Sequence, residues 1–249
     1  MIEAINVSKT FNDHQVLNDI SVAFEKGKTN LIIGQSGSGK TVLMKCLVGL
    51  FPIDNGSINF DGRSFSDISY GEKKKIRQEI GMLFQGGALF DSMSVEENVV
   101  FPLSMFTDMS PSDKIDRANF CLKRVNLENV NKLFPSELSG GMKKRVAIAR
   151  AIAANPKYLF CDEPNSGLDP ATSIVIDKLI SEITQEYQIT TVINTHDMNS
   201  VIEIGDKIAF IYKGKLWWEG DKNSILDTDN KEINDFVYAT ELTRRLKRK

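Results

Sequence analysis

Leu31-Ile32-Ile33-Gly34-Gln35-Ser36-Gly37-Ser38-Gly39-Lys40-Thr41-Val42 fixes the architecture around it. An apolar run ends in the octet G-x-x-x-x-G-K-[ST], and a helical pattern opens at Val42. Strand, glycine turn and helix in that order let backbone N–H groups surround phosphate oxygens, with Lys40 adding charge and the Thr41 hydroxyl free to ligate magnesium. The competing reading is a strand-to-helix turn that is merely rich in glycine. Either way the stretch predicts an α/β protein.

Upstream, residues 2–7 and 16–24 alternate apolar and polar side chains as strands do, with the turn formers Asn12 and Asp13 between them. A third strand over 56–60 ends in the hairpin-type turn Asp61-Gly62. Short apolar runs at 29–33, 79–84, 157–161, 189–194 and 207–212 read as buried parallel strands, with helical patterns such as 41–49 and 170–187 between them. Strand signals vanish between 86 and 156, where Pro111 to Val125 and Gly140 to Ala154 carry helical periodicity. The division expected is an α/β core of 1–85 and 157–230, a helical insertion of 86–156 and an extension of 231–249. That extension ends in the basic run Arg244-Arg245-Leu246-Lys247-Arg248-Lys249. Ligands are expected at the carboxyl ends of the parallel strands.

Thirty-one basic against 33 acidic residues among 249 give no charge argument for nucleic acid. No apolar run is long enough to span a bilayer. Met1-Ile2-Glu3-Ala4 lacks the basic-then-apolar pattern of a secretory signal. Cys46, Cys121 and Cys161 are scattered, which predicts a reduced, cytosolic protein without structural zinc. Any service to a membrane would then run through a partner.

A second anion site is written at Leu138-Ser139-Gly140-Gly141-Met142. Ser139 is a natural N-cap, and Gly140 and Gly141 let a ligand approach a helix start whose N–H groups and dipole favour negative charge. Two such sites, far apart in one chain, are explained by one nucleotide held between two copies of the protein. Tyr158-Leu159-Phe160-Cys161-Asp162-Glu163-Pro164 delivers two carboxylates to a strand end. Asp162 suits magnesium bound through water, and strand alternation turns Glu163 elsewhere, toward a water that attacks a phosphate. Asp169, in Ser166-Gly167-Leu168-Asp169, is either an N-cap for the helix from Pro170 or a functional residue, and the two are compatible. His196 follows a parallel strand, where ligand contacts collect. Gln85 ends another, either as a plain polar strand end or with its side-chain carbonyl oxygen for magnesium or water and Gly86-Gly87 behind it to let the loop move. Phe11 either stacks on a base or packs in the core.

Together these residues resemble the ATP-binding cassette ATPases. In this chain their order is phosphate loop 34–41, Gln85, signature 138–142, acidic strand 158–163, Asp169 loop and His196 switch. The resemblance implies a P-loop NTPase (RecA-like) parallel-sheet core with an N-terminal antiparallel subdomain and a helical subdomain bearing the signature. It implies a homodimer sandwiching two ATP molecules with Mg2+, driving transmembrane permease subunits from the cytoplasmic face of the inner membrane, and no nucleic acid. Ser139, Gly140 and Gly141 of one subunit would face the γ-phosphate held by the other's Lys40, with Asp169 at the interface. Glu163 would be the catalytic base, His196 a γ-phosphate contact and Phe11 an adenine contact, although tyrosine is the usual residue there.

A narrower resemblance lies in Phe84-Gln85-Gly86-Gly87-Ala88-Leu89-Phe90 through Val99, and in Phe101-Pro102-Leu103, with Met142. These are similar to the ATPases of Mce-type lipid transporters, including the Mla system. That implies phospholipid as cargo and an Mce-type lipid-binding partner. Ala88, Leu89, Phe90 and Met93 would pack inside the insertion, line a groove for a partner helix, or both. Two alternatives stand beside this: the ATPase of another transporter, such as a small-solute importer, and a soluble cassette ATPase acting on ribosomes or DNA. The basic tail is either a solvated end or a contact for anionic lipid or an acidic partner.

Overall fold

The computed structural model describes residues 1–66 and 68–238. The first sheet grows from a hairpin of β1 (Ile2–Phe11) and β2 (His14–Phe24). Its two turn residues, Asn12 (φ 45°) and Asp13 (φ 65°), are both left-handed, the backbone that a tight antiparallel turn between twisted strands requires. After β3 (Thr29–Ile33) and helix α1 (Lys40–Leu47), a second hairpin of β4 (Asn55–Phe60) and β5 (Arg63–Ser64) turns at Asp61-Gly62. β4 adds to β1, giving the antiparallel order β2-β1-β4-β5.

Helix α2 (Tyr70–Gln78) leads into β6 (Ile80–Leu83), and three helices follow: α3 (Val95–Phe106), α4 (Pro111–Arg124) and α5 (Gly140–Ile152). β7 (Tyr158–Asp162), α6 (Pro170–Tyr187), β8 (Thr190–Asn194), α7 (Met198–Ile204) and β9 (Lys207–Tyr212) alternate as βα units do. β10 (Lys215–Gly220) turns back along β9, and α8 (Lys231–Val237) comes last among the described residues. The second sheet has the order β10-β9-β3-β8-β7-β6, parallel except at β10. This is the α/β fold expected, with its antiparallel N-terminal sheet.

Parallel strands are covered on both faces, and every residue of β3 and β8 is buried, the polar Thr29, Asn30, Thr190, Thr191 and Asn194 included. Alternation then divides the core. Leu31 and Ile33 face the layer of α3 to α6, while Ile32 faces α1 and the antiparallel sheet. The order β3-β8-β7-β6 sets four strand ends side by side, and these lead to the phosphate loop, Asn194, Asp162 and Gln85.

Two C-terminal elements have no counterpart in the expected set. β10 pairs through its backbone, with Trp218 packed on the core, and α8 docks Ile233 and Val237 into the core with Phe236 beside Phe210. The stretch from 231 thus begins as a packed helix, and the run 244–249 lies outside the described residues. Among the described residues no helix is long and apolar enough to cross a membrane. All three cysteines are buried and unpaired, and burial pushes the Cys46 and Cys121 thiols up to about 11 and Cys161 higher still.

Candidate active site

The phosphate loop is held open by backbone that only glycine adopts freely. Gly34 (φ 148°) and Gly39 (φ 107°) are left-handed, and a Cβ on Gly34 would lie 2.2 Å from the Ile211 carbonyl. A Cβ on Gly39 would meet Val16 and Leu17 of β2, so the first hairpin lies directly beside the loop. Lys40 is buried at the start of α1, and its ammonium donates to the Gly34 (2.9 Å) and Gln35 (3.1 Å) carbonyls. Burial lowers the Lys40 pKa, partly offset by the carboxylates of Glu163 and Asp162. The buried Ser38 hydroxyl has no hydrogen-bond partner among the described residues. A phosphate oxygen is the acceptor it suits.

Asn194, on which the sequence reading places no role, ties this loop to the acidic strand. Its amide donates to the Thr41 hydroxyl at 3.0 Å and to Asp162 Oδ1 at 2.6 Å. A hydroxyl and a carboxylate brought to one amide nitrogen are the hard oxygen ligands that magnesium takes alongside phosphates and water. No cluster of three carboxylate, histidine or cysteine ligands occurs among the described residues, and such a magnesium site needs none. Burial raises the Asp162 pKa, and the Asn194 hydrogen bond opposes it.

Glu163 turns away from Asp162, but for a reason other than strand alternation. Strand β7 ends at Asp162, and Glu163 is left-handed (φ 46°), its N–H bonded to the Asn194 carbonyl at 2.9 Å. The turn points its carboxylate at two other expected residues. Gln85 Nε2 donates to Oε2 at 3.1 Å, and His196 Nδ1 lies 3.0 Å from Oε1. A carboxylate only accepts, so that contact assigns the proton to Nδ1.

Downstream, the loop after Glu163 is stitched to two helices. The Asn165 amide donates to Asp177 of α6 at 2.8 Å and to the Ser200 hydroxyl of α7 at 3.0 Å, while its own Oδ1 is buried without a partner. Asp177 is 2 % exposed. Burial pushes its carboxyl up to about 6 against the pull of the Ser200 and Asn165 hydrogen bonds, and Asp197 and Glu203 push the same way as burial. Asp169 caps α6: the Thr172 N–H and hydroxyl donate to it at 3.0 and 2.6 Å. Both of its carboxylate oxygens are committed to that cap.

Ser139 caps α5 by accepting from the Met142 N–H at 3.2 Å. Gly141 has a packing reason to be glycine, since a Cβ there would lie 2.8 Å from the Thr172 methyl. Among the described residues no hydrogen bond or ion pair joins 139–141 to the phosphate loop of the same chain. Two cations of α5 grip the Gln85 loop instead. Lys144 donates to the Gln85 carbonyl, and Arg150 donates to the Gly87 and Ala88 carbonyls at 2.6 Å each. The loop expected to move on its glycine pair is therefore held by the signature helix.

Phe11 is 37 % exposed, with its ring edge-on to Phe51 at 5.3 Å and the Lys9 ammonium 5.3 Å from the ring centroid. Phe90 is 41 % exposed, with its ring 4.8 Å from that of Phe101. The buried Asn98 amide clips the turn around it through the Phe90, Met93 and Ser94 carbonyls. Phe84, Phe90, Phe101, Pro102 and Phe106 line one groove of about 380 Å³.

Residues 17–166 match the family model described as ABC transporter. A methionine import ATP-binding protein of Clostridium tetani is 40 % identical over 97 % of this chain and 76 % of its own length. A probable ribonucleotide transport ATP-binding protein of Mycobacterium leprae is 35 % identical over 95 % of this chain and 68 % of its own. Among solved structures, a dimeric ATP-binding cassette in a post-hydrolysis state with ADP and Pi superposes with a TM-score of 0.81. It is 32 % identical, over 89 % of this chain and 99 % of that one.

Proposed function

The chain belongs to the ABC transporter family, and we propose that its ATPase activity powers a membrane transporter as a homodimer closed around ATP. The observation that carries this reading is the meeting of Gln85, Glu163 and His196 beside the phosphate loop, with the start of α5 unbonded to that loop. Gly34 to Thr41 would hold the phosphates, with Lys40 and Ser38 as donors. Thr41, Asp162 and the Gln85 side-chain Oε1 would hold magnesium, which when bound offsets phosphate charge. Glu163 would take the proton of the attacking water, oriented by Gln85, and His196 would face the γ-phosphate. Ser139, Gly140 and Gly141 would complete the partner subunit's pocket, with Asp169 beside them and Phe11 against adenine. Catalysis in this scheme is positioning and charge stabilisation.

Glu163→Gln keeps the shape of the side chain and removes the base. It is expected to bind ATP and accumulate as a closed dimer in size-exclusion chromatography, with turnover lost. Normal turnover by that variant refutes the base assignment, and a variant that stays monomeric with ATP refutes the shared pocket.

The groove at Phe90 would receive a helix of the permease, placing the chain on the cytoplasmic face of the inner membrane. For cargo, the relatives' names support a small polar solute ahead of lipid: one is named for methionine import, the other for ribonucleotide transport. Phospholipid with an Mce-type partner is a second reading, favoured by residues 84–103. Co-purification from native membrane separates the two: a solute-binding protein supports the first, and a periplasmic lipid-binding protein the second.

A further inference from the structure

Lys144 lies in the second turn of α5 and is 5 % exposed. Among the described residues its ammonium donates only to two backbone carbonyls, that of Gln85 and that of Glu163 at 3.5 Å, and no carboxylate stands within ion-pair distance. A buried ammonium is expensive unless acceptors and nearby negative charge compensate it. Here the compensation comes from those carbonyls and from the field of Glu163 and Asp162. An uncharged side chain of equal length would fill the space without that cost, so the cation is explained by what it holds. It pins the backbones of the two residues whose side chains meet at 3.1 Å in the active site.

We propose that Lys144 is a positioning residue that couples the two ATP sites of the dimer. The proposal rests on the shared-pocket reading above. The start of α5 touches the partner's nucleotide, α5 moves as a rigid rod, and Lys144 carries its displacement to Gln85 and Glu163 of its own site. Arg150, farther along the same helix, holds the Gly87 and Ala88 carbonyls of the Gln85 loop and makes the linkage stiff. ATP at one site thereby sets the hydrolytic geometry of the other.

The test uses the full chain carrying Lys144→Met, which removes the buried charge at similar length, and Lys144→Gln, which keeps a neutral donor. Fluorescent ATP-analogue binding, phosphate release against ATP concentration, and ATP-driven dimerisation of Lys144→Met in the Glu163→Gln background are the readouts. Expected for Lys144→Met are a nucleotide Kd within about twofold of wild type and retained dimerisation. Turnover is expected to fall about ten- to hundredfold through mispositioning. The Hill coefficient of hydrolysis is expected to drop from about 2 toward about 1, with Lys144→Gln between the two proteins. An unchanged Hill coefficient overturns the proposal, whether or not kcat falls. If Lys144→Met does not fold, the Hill coefficient of Lys144→Gln decides in the same way. Failure of the shared-pocket reading shows separately, as a Glu163→Gln protein that ATP does not dimerise.

Discussion

Replacing Asp177 with asparagine removes a charge from a place that disfavours it. In the folded chain the carboxyl is pushed from an ordinary 3.8 up to about 6. Between those values the folded state holds a proton that the unfolded state has released, so stability falls as pH rises through the window. Above about 6 the full penalty is present, and two pH units at about 1.4 kcal/mol each give about 3 kcal/mol. The substituted amide escapes that cost without orphaning its neighbour. The Asn165 amide can go on donating to the oxygen of the new side chain, as it does to Asp177 at 2.8 Å. At pH 8 the Asp177→Asn protein is therefore expected to be more stable by up to about 3 kcal/mol, or about 6–12 °C in melting temperature for a chain of this size. Near pH 4 the two proteins should converge. Thermal unfolding of both from pH 4 to 8 is the assay; titrating groups remote from Asp177 cancel in the difference, and relief of Asp197 and Glu203 from its charge adds in the same direction. A variant that melts with wild type across that range, or below it at pH 8, rules out a buried-charge penalty at Asp177.

Lys40→Ala deletes a charge-assisted donor worth about 1.5–3 kcal/mol, so ATP affinity measured by calorimetry should fall about ten- to hundredfold. Gly141→Ala gains about 1 kcal/mol of helix propensity but forces a methyl against Thr172 at a cost of about 1–3 kcal/mol, so denaturant unfolding should show net destabilisation. Adding Thr172→Ser removes that methyl and keeps the hydroxyl on Asp169; if stability does not return, the clash is not the cause. Phe90→Ala should leave ATP affinity and melting temperature near wild type and abolish coupling of hydrolysis to transport in the assembled transporter. Equal loss of folding and ATP binding would mark Phe90 as core.

The phosphate loop is legible in the sequence because its conformation is local: left-handed turns at Gly34 and Gly39 are written as glycines. The antiparallel hairpin is legible for the same reason, through Asn12 and Asp13. Strand alternation predicts that Glu163 diverges from Asp162, yet a left-handed glutamate does it, and nothing in that residue type announces such a turn. Asn194 does carry a signal, a polar residue ending a wholly buried strand. Lys144 sits in the run Lys143-Lys144-Arg145, which reads as solvated charge. Helical spacing separates it, since 144, 147, 148 and 151 share one face and the other three are buried apolar residues. β10 stays hidden because its pairing depends on a neighbour that only the completed sheet supplies.

The burial of Cys46, Cys121 and Cys161 bears on how motion in this protein can be watched. Thiols this inaccessible, with their ionisation suppressed, stay silent toward maleimides. One cysteine introduced at exposed Glu137, next to the signature, would then be the sole labelled atom in an otherwise native chain. A fluorophore pair placed that way, one per subunit, would read opening and closing as a distance, with no background to subtract and no cysteine-free variant to build first.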